Sequence, residues 1–400
     1  MAAKLFNKGF SELSQLAVFL SMWGLGVVIG SLASVGVWSA MTGQGIMNMA
    51  QDMMDPKYAG AVKVIQVVST LFVFFAPAAA YAFICFRNGW LALGYNGRPI
   101  LKITLVCVCI LLVCSPAIDV LTSLNGHIPL PAKSKQFFDD IEKNYNEQVK
   151  VIANVKTVGQ YLLSLFMIAF LPAVFEETLF RGGMQNMLSR FKRPVLVYLL
   201  IMVALLIGVK MIWFPAKINS WYFFGAILVI CLLVYRSHSA SSQLNKCLSH
   251  YMFPIFFTSI LFSAIHGSWY GFIPRIALGM LLGLVFYYTQ NIYYNILLHF
   301  LNNGVVVTFM FITTRQQKPL GEVSEYSFPW WAALASALLL FVLFRWLWLL
   351  KSGQQPEEVV VSSNPFYGTQ RLTDENETEE VSDGNDQIDV GDQANHKPME

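Results

Sequence analysis

The chain has 400 residues, of which 56% are hydrophobic and only 13% are charged, with a mean hydropathy of +0.53. This balance excludes an ordinary soluble globular protein and is typical of a polytopic membrane protein. The formal net charge of +3 gives no reason to expect a nucleic-acid partner, since basic residues near apolar segments set membrane topology.

Apolar stretches of about 18 residues or more can cross a bilayer as helices. The sequence contains about ten of them, which predict an all-α fold, a polytopic transmembrane helical bundle in contact with the lipid bilayer. They cover residues 14–40, 64–86, 101–122, 157–180, 195–213, 219–235, 252–268, 272–290, 292–313 and 329–350.

The longest connection between these stretches, residues 124–155, predicts a short amphipathic helix. Phe137, Phe138, Ile141 and Tyr145 mark its apolar face, and acidic residues and a lysine oppose them. A helix lying on the membrane surface and a solvated loop helix both fit this pattern.

The segment from Lys351 onward differs, with 12 acidic residues against 3 basic ones and few apolar residues. It cannot bury enough apolar surface to offset the entropy of ordering it. We therefore predict a disordered acidic tail over residues 351–400, dispensable for chemistry.

Short loops rich in Lys and Arg remain cytoplasmic. A topology with a cytoplasmic N-terminus and ten membrane crossings places most of the basic loops on the cytoplasmic side. In this topology both termini are cytoplasmic. These loops contain Lys4, Lys8, Arg87, Arg98, Lys102, Arg190, Lys192, Arg193, Arg236, Lys246 and Lys351. The same topology places five basic residues on the opposite side of the membrane, contrary to the rule: Lys210, Lys217, Arg275, Arg315 and Lys318. We expect a multi-pass protein of a bacterial inner membrane.

Three charges, Glu176, Glu177 and Arg181, lie within six residues of a helix whose preceding run is uncharged. Charged groups at bilayer depth cost a few kcal/mol or more and are functional candidates. Glu177 and Arg181 are four residues apart and can pair on one helix face. Glu176, about 100° around the helix, is free to face a cavity and to act as a general base on water. The alternative is an ion-pair network that only joins helices.

Two later apolar segments carry histidines that we expect to be buried. Phe262 and His266 are four residues apart, and Asn295, His299 and Asn303 form a polar stripe on one helix face. Such a stripe must face a partner helix or a water-filled cavity. A packing role for His266 and interhelical hydrogen bonds for the stripe are the alternatives. The motifs HExxH and GxSxG are absent, and so are paired GxGD-type aspartates.

The motif order EExxxR, FxxxH and HxxxN, with Gly182 after Arg181, resembles the CAAX-processing and bacteriocin-processing (CPBP, or Abi) family of intramembrane endopeptidases. The resemblance covers roughly residues 157–313. It implies that Glu176 activates water, that His266 assists it, and that His299 with Asn303 stabilises the oxyanion. Glu177 and Arg181 would support the site.

The resemblance does not determine whether catalysis requires a metal ion. Glu176, His266 and His299 could bind a catalytic zinc ion, whereas direct carboxylate catalysis needs no cofactor, and we favour the metal-free form. One departure from the family is the spacing of about 80 residues between Arg181 and Phe262. We predict that a transmembrane hairpin, 195–235, is inserted there.

The predicted divisions are N-terminal helices with an amphipathic loop (1–156), a catalytic core (157–313) that contains the hairpin, a last transmembrane helix (329–350) and the tail. The function we predict is an intramembrane endopeptidase that cleaves a membrane-associated, lipidated or leader-bearing protein. A transporter or proton relay, which would also use buried Glu, Arg and His, and a non-catalytic immunity or scaffold protein are the rival functions.

Overall fold

The computed structural model describes residues 7–153, 157–190, 251–316 and 328–352. Within these ranges all regular structure is helical, and the one β contact is an isolated bridge between Asn7 and Phe86. Seven helices in this part of the chain are long and apolar enough to cross a membrane. The predicted all-α membrane bundle is therefore confirmed.

The number of crossings stays a prediction. The hairpin 195–235 and the tail beyond residue 352 lie outside the described residues. The helices of the described ranges are numbered here in chain order. They are α1 (Glu12–Thr42), α2 (Pro56–Cys85), α3 (Leu101–Gly126), α4 (Ala132–Ala153), α5 (Val158–Leu188), α6 (Phe253–Ile265), α7 (Phe272–Thr289), α8 (Ile292–Arg315) and α9 (Trp330–Ser352).

Helix α6 is shorter than the span predicted at 252–268. Its 13 residues extend about 20 Å at about 1.5 Å per residue, less than the roughly 30 Å hydrocarbon core of a bilayer. It ends because Gly267 has φ +68°, in the left-handed region that glycine adopts without steric cost. His266 is consequently the residue that caps the C-terminus of the helix, directly after Ile265.

Two helices contain a widened π-helical turn directly before a proline. Leu71–Phe75 precedes Pro77 in α2, and Leu165–Phe170 precedes Pro172 in α5. Proline lacks an N–H and clashes with the preceding turn of a regular α-helix. A wider turn relieves this clash, and such turns are frequent at functional sites. A third π turn, Thr178–Gln185, follows the two glutamates in α5.

The GxxxG spacing of Gly26 with Gly30 and of Gly279 with Gly283 predicts close helix packing, and these glycines do make the closest helix contacts. A Cβ atom at Gly26 of α1 would overlap the carbonyl oxygen of Phe72 in α2. A Cβ at Gly279 of α7 would lie 2.9 Å from the Cβ of Ser259 in α6, and one at Gly283 would lie 2.7 Å from a side-chain methyl carbon of α6. Such backbone approach is typical of small-residue interfaces in membranes.

Two apolar clusters hold the described helices together. One joins α1, α2, α5 and α6 around Phe19, Phe180 and Phe262. The other joins α3, α7, α8 and α9 around Ile110, Leu282 and other buried residues. Helices α5 to α8 adjoin one another where the clusters meet, and the candidate site lies among these four helices.

The predicted amphipathic helix is present as α4, and it packs against the loop between α6 and α7. Phe138 packs against Trp269 in the loop between α6 and α7, with ring centroids 5.6 Å apart. Ser268 donates a hydrogen bond to Glu142 (2.6 Å), and Tyr270 donates one to Asp139. The acidic residues therefore bind the loop that follows His266.

Candidate active site

The centre of the site is a buried ion pair within α5. Arg181 Nη1 lies 2.8 Å from Glu177 Oε1, and the side chains are 1% and 0% exposed. This contact confirms the pairing predicted from the four-residue spacing. The guanidinium group also lies 5.0 Å from the centroid of the Phe262 ring in α6. An arginine face over an aromatic ring adds a favourable electrostatic contact.

His299 of α8 connects the two glutamates. Its Nδ1 lies 2.8 Å from Glu177 Oε1, the same oxygen that accepts from Arg181. Its Nε2 lies 3.9 Å from Glu176 Oε2. A ring with Nδ1–H donating to Glu177 has its tautomer set by that bond, and presents Nε2 towards Glu176.

The second carboxylate is the more accessible one. The side chain of Glu176 is 12% exposed, whereas that of Glu177 is fully buried. Glu176 Oε2 has no hydrogen-bond partner among the described residues. Buried polar atoms in proteins almost always have a partner, from the protein or from water. Glu177 Oε2 also has no partner among the described residues, so the feature that distinguishes Glu176 is its greater exposure, which allows it to take up a water or a substrate group. Glu177 is held through its Oε1 by Arg181 and His299.

Phe262 forms the aromatic wall of the site. Its ring centroid lies 5.8 Å from that of His299 and 5.0 Å from that of His266. The ring is 3% exposed. In the FxxxH motif the phenylalanine is therefore the buried member, and it separates the two histidines.

The expected burial of His266 is wrong. The residue is exposed, at the end of α6, and its Nδ1 bonds the carbonyl oxygen of Phe262 (2.7 Å). The physical reason is the end of the helix at Gly267, which leaves the imidazole without a covering turn. His266 reaches the site only through its contact with the Phe262 ring.

Asn303 lies one helical turn beyond His299 and is half-buried. It accepts a hydrogen bond from Asn302 (3.3 Å), and no hydrogen bond joins it to either glutamate within the described ranges. The structure thus brings together Glu176, Glu177, Arg181 and His299. Among the predicted site residues, His266 and Asn303 lie at the edge of this group.

Sequence reasoning missed Gln185 of α5. Its side chain is buried and donates a hydrogen bond to the carbonyl oxygen of Gly283 (2.9 Å). The signal was available, since Gln185 follows Glu177 and Arg181 at the same four-residue interval. Asn295, placed in the polar stripe, donates to the carbonyl oxygen of Leu282 (2.7 Å). For Asn295 the interhelical hydrogen bond named as an alternative is the observed one.

The zinc alternative can be tested on the arrangement of the side chains. Catalytic zinc sites need three protein ligands with their donor atoms about 2.0–2.2 Å from one ion. Within the described ranges, no group of three or more His, Cys, Asp or Glu side chains is arranged to hold a metal. Glu176, His266 and His299 are not gathered in such a group as placed, and the choice between zinc and a metal-free mechanism stays a prediction.

The fold and the site define a polytopic membrane protein with a buried glutamate–histidine group, and intramembrane ionisable residues of this kind are functional candidates. Residues 240–305 match the family model described as type II CAAX prenyl endopeptidase Rce1-like. The match confirms the family resemblance given by the motifs, and at the family level it supports a multi-pass intramembrane protease. No curated protein and no solved structure matches the chain.

The matched segment covers only part of the site. It includes Phe262, His266, His299 and Asn303 but neither the two glutamates nor the arginine of α5. What joins α5 to the matched segment is geometry: the 2.8 Å contact between Glu177 and His299.

Proposed function

We propose that this protein is an intramembrane endopeptidase that hydrolyses a peptide bond with a water molecule activated by Glu176. The observation that carries the proposal is the position of His299 between the two carboxylates. Glu177 is paired with Arg181 and orients the imidazole. Glu176 has one oxygen without a protein partner among the described residues, and a base must reach its proton directly or through one water.

In the proposed reaction, Glu176 removes a proton from water while the water oxygen forms a bond to the peptide carbonyl carbon. Negative charge develops on the carbonyl oxygen, where the Asn303 amide N–H and a His299 ring that also carries a proton on Nε2 would stabilise it, and preorganised donors are effective there. The carbon–nitrogen bond then breaks, and Glu176 returns the proton to the leaving amine. His266, exposed beside Phe262, would contact substrate at the edge of the site.

The substrate we propose is a membrane-associated peptide, either lipidated or carrying a leader segment. The name of the matched family favours a prenylated C-terminal peptide as the first probe. A bacterial inner membrane and cytoplasmic termini remain parts of the proposal, and the orientation of the termini rests on the distribution of Lys and Arg.

The test uses the full-length protein in liposomes and a quenched fluorescent peptide with a farnesylated CAAX terminus. The same peptide without farnesyl is the second probe. We expect cleavage by the wild type, none by Glu176→Gln, and wild-type rates for Asp140→Asn, a matched acid-to-amide change at an exposed residue of α4. Cleavage that survives a zinc chelator supports the metal-free mechanism.

The proton-relay alternative is favoured by the continuous chain from Arg181 through Glu177 to His299. It predicts that the wild type carries protons into liposomes loaded with a pH-sensitive dye, and that it cleaves neither peptide. Retention of full proteolysis by Glu176→Gln would refute the proposed mechanism.

A further inference from the structure

The middle of α7 accepts side-chain hydrogen bonds from both helices that carry the glutamate–histidine contact. From α5, Arg181 Nη2 donates to the carbonyl oxygen of Gly279 (3.1 Å) and Gln185 Nε2 to that of Gly283 (2.9 Å). From α8, Asn295 Nδ2 donates to the carbonyl oxygen of Leu282 (2.7 Å). All three donor side chains are buried.

The glycines of α7 make this arrangement possible. A carbonyl oxygen in a helix has a second lone pair that can accept a further hydrogen bond. A Cβ at Gly283 would lie 3.1 Å from Gln185 Oε1, so a larger residue there would crowd the glutamine amide. Gly283 therefore makes room on the α5 side as well as for packing against α6.

The two amides have few other places to bond. Gln185 Oε1 and Asn295 Oδ1 are buried and have no hydrogen-bond partner among the described residues. An amide in an apolar environment loses several kcal/mol if its N–H groups are also unpaired. Each amide is thus strongly held to its carbonyl oxygen on α7.

The amide side chains of Gln185 and Asn295 are each one helical turn away from a residue of the site. Gln185 lies one turn beyond Arg181 on α5, and Asn295 lies one turn before His299 on α8. The same segment of α7 therefore fixes the position of both halves of the site. The 2.8 Å contact of His299 with Glu177 depends on how α5 and α8 are placed relative to each other.

We propose that Gln185 and Asn295 are positioning residues, which fix α5 and α8 to the carbonyl oxygens of residues 282 and 283 so that His299 Nδ1 reaches Glu177. The proposal deepens the proposed function and rests on it for its kinetic consequence. A displacement of about 1 Å at a catalytic group can lower the rate about 100-fold. Loss of either amide should therefore lower kcat about 10- to 100-fold and leave KM nearly unchanged, because neither side chain faces substrate.

The experiment compares Gln185→Met and Asn295→Leu, which keep side-chain size and remove the donors. The matched control is Thr258→Val in α6, because Thr258 is a buried hydroxyl that bonds only the carbonyls of its own helix among the described residues. Two quantities are measured on each full-length protein. One is kcat and KM with the farnesylated peptide, and the other is the solvent exchange of the His299 ring N–H proton by NMR, assigned by its absence in His299→Gln.

We expect both amide variants to lower kcat at constant KM and to speed exchange of the His299 proton at least about 10-fold, as befits a loosened hydrogen bond. Thr258→Val should match the wild type in both measurements. Wild-type kcat and wild-type exchange in both folded amide variants would overturn the proposal. Unfolding of both under conditions where Thr258→Val is folded would assign the amides to folding and overturn it too.

The two measurements separate this proposal from the proposed function. If the wild type cleaves no peptide but the amide variants speed exchange, the positioning of His299 stands and the protease function fails. If the wild type cleaves and the variants change neither quantity, the protease function stands and the positioning role fails.

Discussion

Replacement of Arg181 by methionine tests whether the buried ion pair of α5 is an energetic centre of the site. The change removes the 2.8 Å contact with Glu177, the hydrogen bond to the Gly279 carbonyl and the contact with the Phe262 ring. It also leaves a carboxylate in a position with no exposure to solvent. The last effect should dominate, because an uncompensated buried charge costs far more than one lost hydrogen bond.

Removal of one partner from a buried pair typically costs about 3–5 kcal/mol, whereas a single interhelical hydrogen bond in a membrane is worth about 0.6 kcal/mol on average. His299 remains within hydrogen-bond distance of Glu177 and partly compensates for the lost partner. We therefore expect Arg181→Met to lower the free energy of unfolding by about 3 kcal/mol, at the lower end of that range.

The assay is reversible unfolding in mixed micelles of mild detergent and dodecyl sulfate, followed by circular dichroism. The control is Lys57→Met, which breaks a pair whose side chains are 62% and 41% exposed, and should leave unfolding unchanged. The double variant Glu177→Gln/Arg181→Met should recover more than half of the loss, because the fully buried carboxylate of residue 177 is then removed together with its partner. A single variant as stable as the control, or a double variant no more stable than the single one, would refute the reasoning.

Three further outcomes are expected. Glu177→Gln should reduce both proteolysis and the free energy of unfolding, whereas Glu176→Gln should abolish proteolysis alone; equal, mild effects would indicate a structural network. Gly26→Ala should lower the free energy of unfolding by about 1–3 kcal/mol because it overpacks the helix contact, and thermal unfolding should occur at a lower temperature. Gly24→Ala is the control and should cause no change, because a Cβ there meets open space. The pKa of Tyr270 is raised because its hydroxyl donates a hydrogen bond to a carboxylate of α4. That contact stabilises the loop below the unfolded tyrosine pKa near 10 and is lost as the pH rises through the higher folded value. Limited proteolysis of the loop should therefore increase at alkaline pH, and Tyr270→Phe should remove that increase.

The features that the sequence predicted are those that depend on local spacing. The apolar stretches predicted most of the described helices, because about 20 apolar residues are enough to cross a bilayer. The four-residue interval predicted the pairing of Glu177 with Arg181, because side chains at that interval share a helix face. Both predictions needed no knowledge of the tertiary structure.

The features that the sequence did not predict depend on backbone groups of another helix. Every residue has a backbone carbonyl oxygen, so no pattern in the sequence identifies those of Gly279 and Gly283 as acceptors of side-chain hydrogen bonds. The two glycines were predicted to pack closely, and they do, but the hydrogen bonds from Arg181 and Gln185 follow only when α5 is placed beside α7. The family resemblance likewise identified the motif side chains of the site, but it gave no indication that α7 positions the helices that carry them.

His266 shows why an apolar environment in the sequence does not establish burial. The run before it is apolar, but Gly267 ends the helix immediately afterwards, and the neighbouring Ala264 and Ile265 are exposed as well. What the FxxxH motif places inside the site is Phe262, whose ring contacts the arginine and both histidines. A phenylalanine at this position excludes water from one side of the ion pair and thereby strengthens it, since electrostatic interactions grow as the surroundings become less polar. In the FxxxH motif it is therefore Phe262 that contacts the buried charges, whereas His266 lies at the edge of the site.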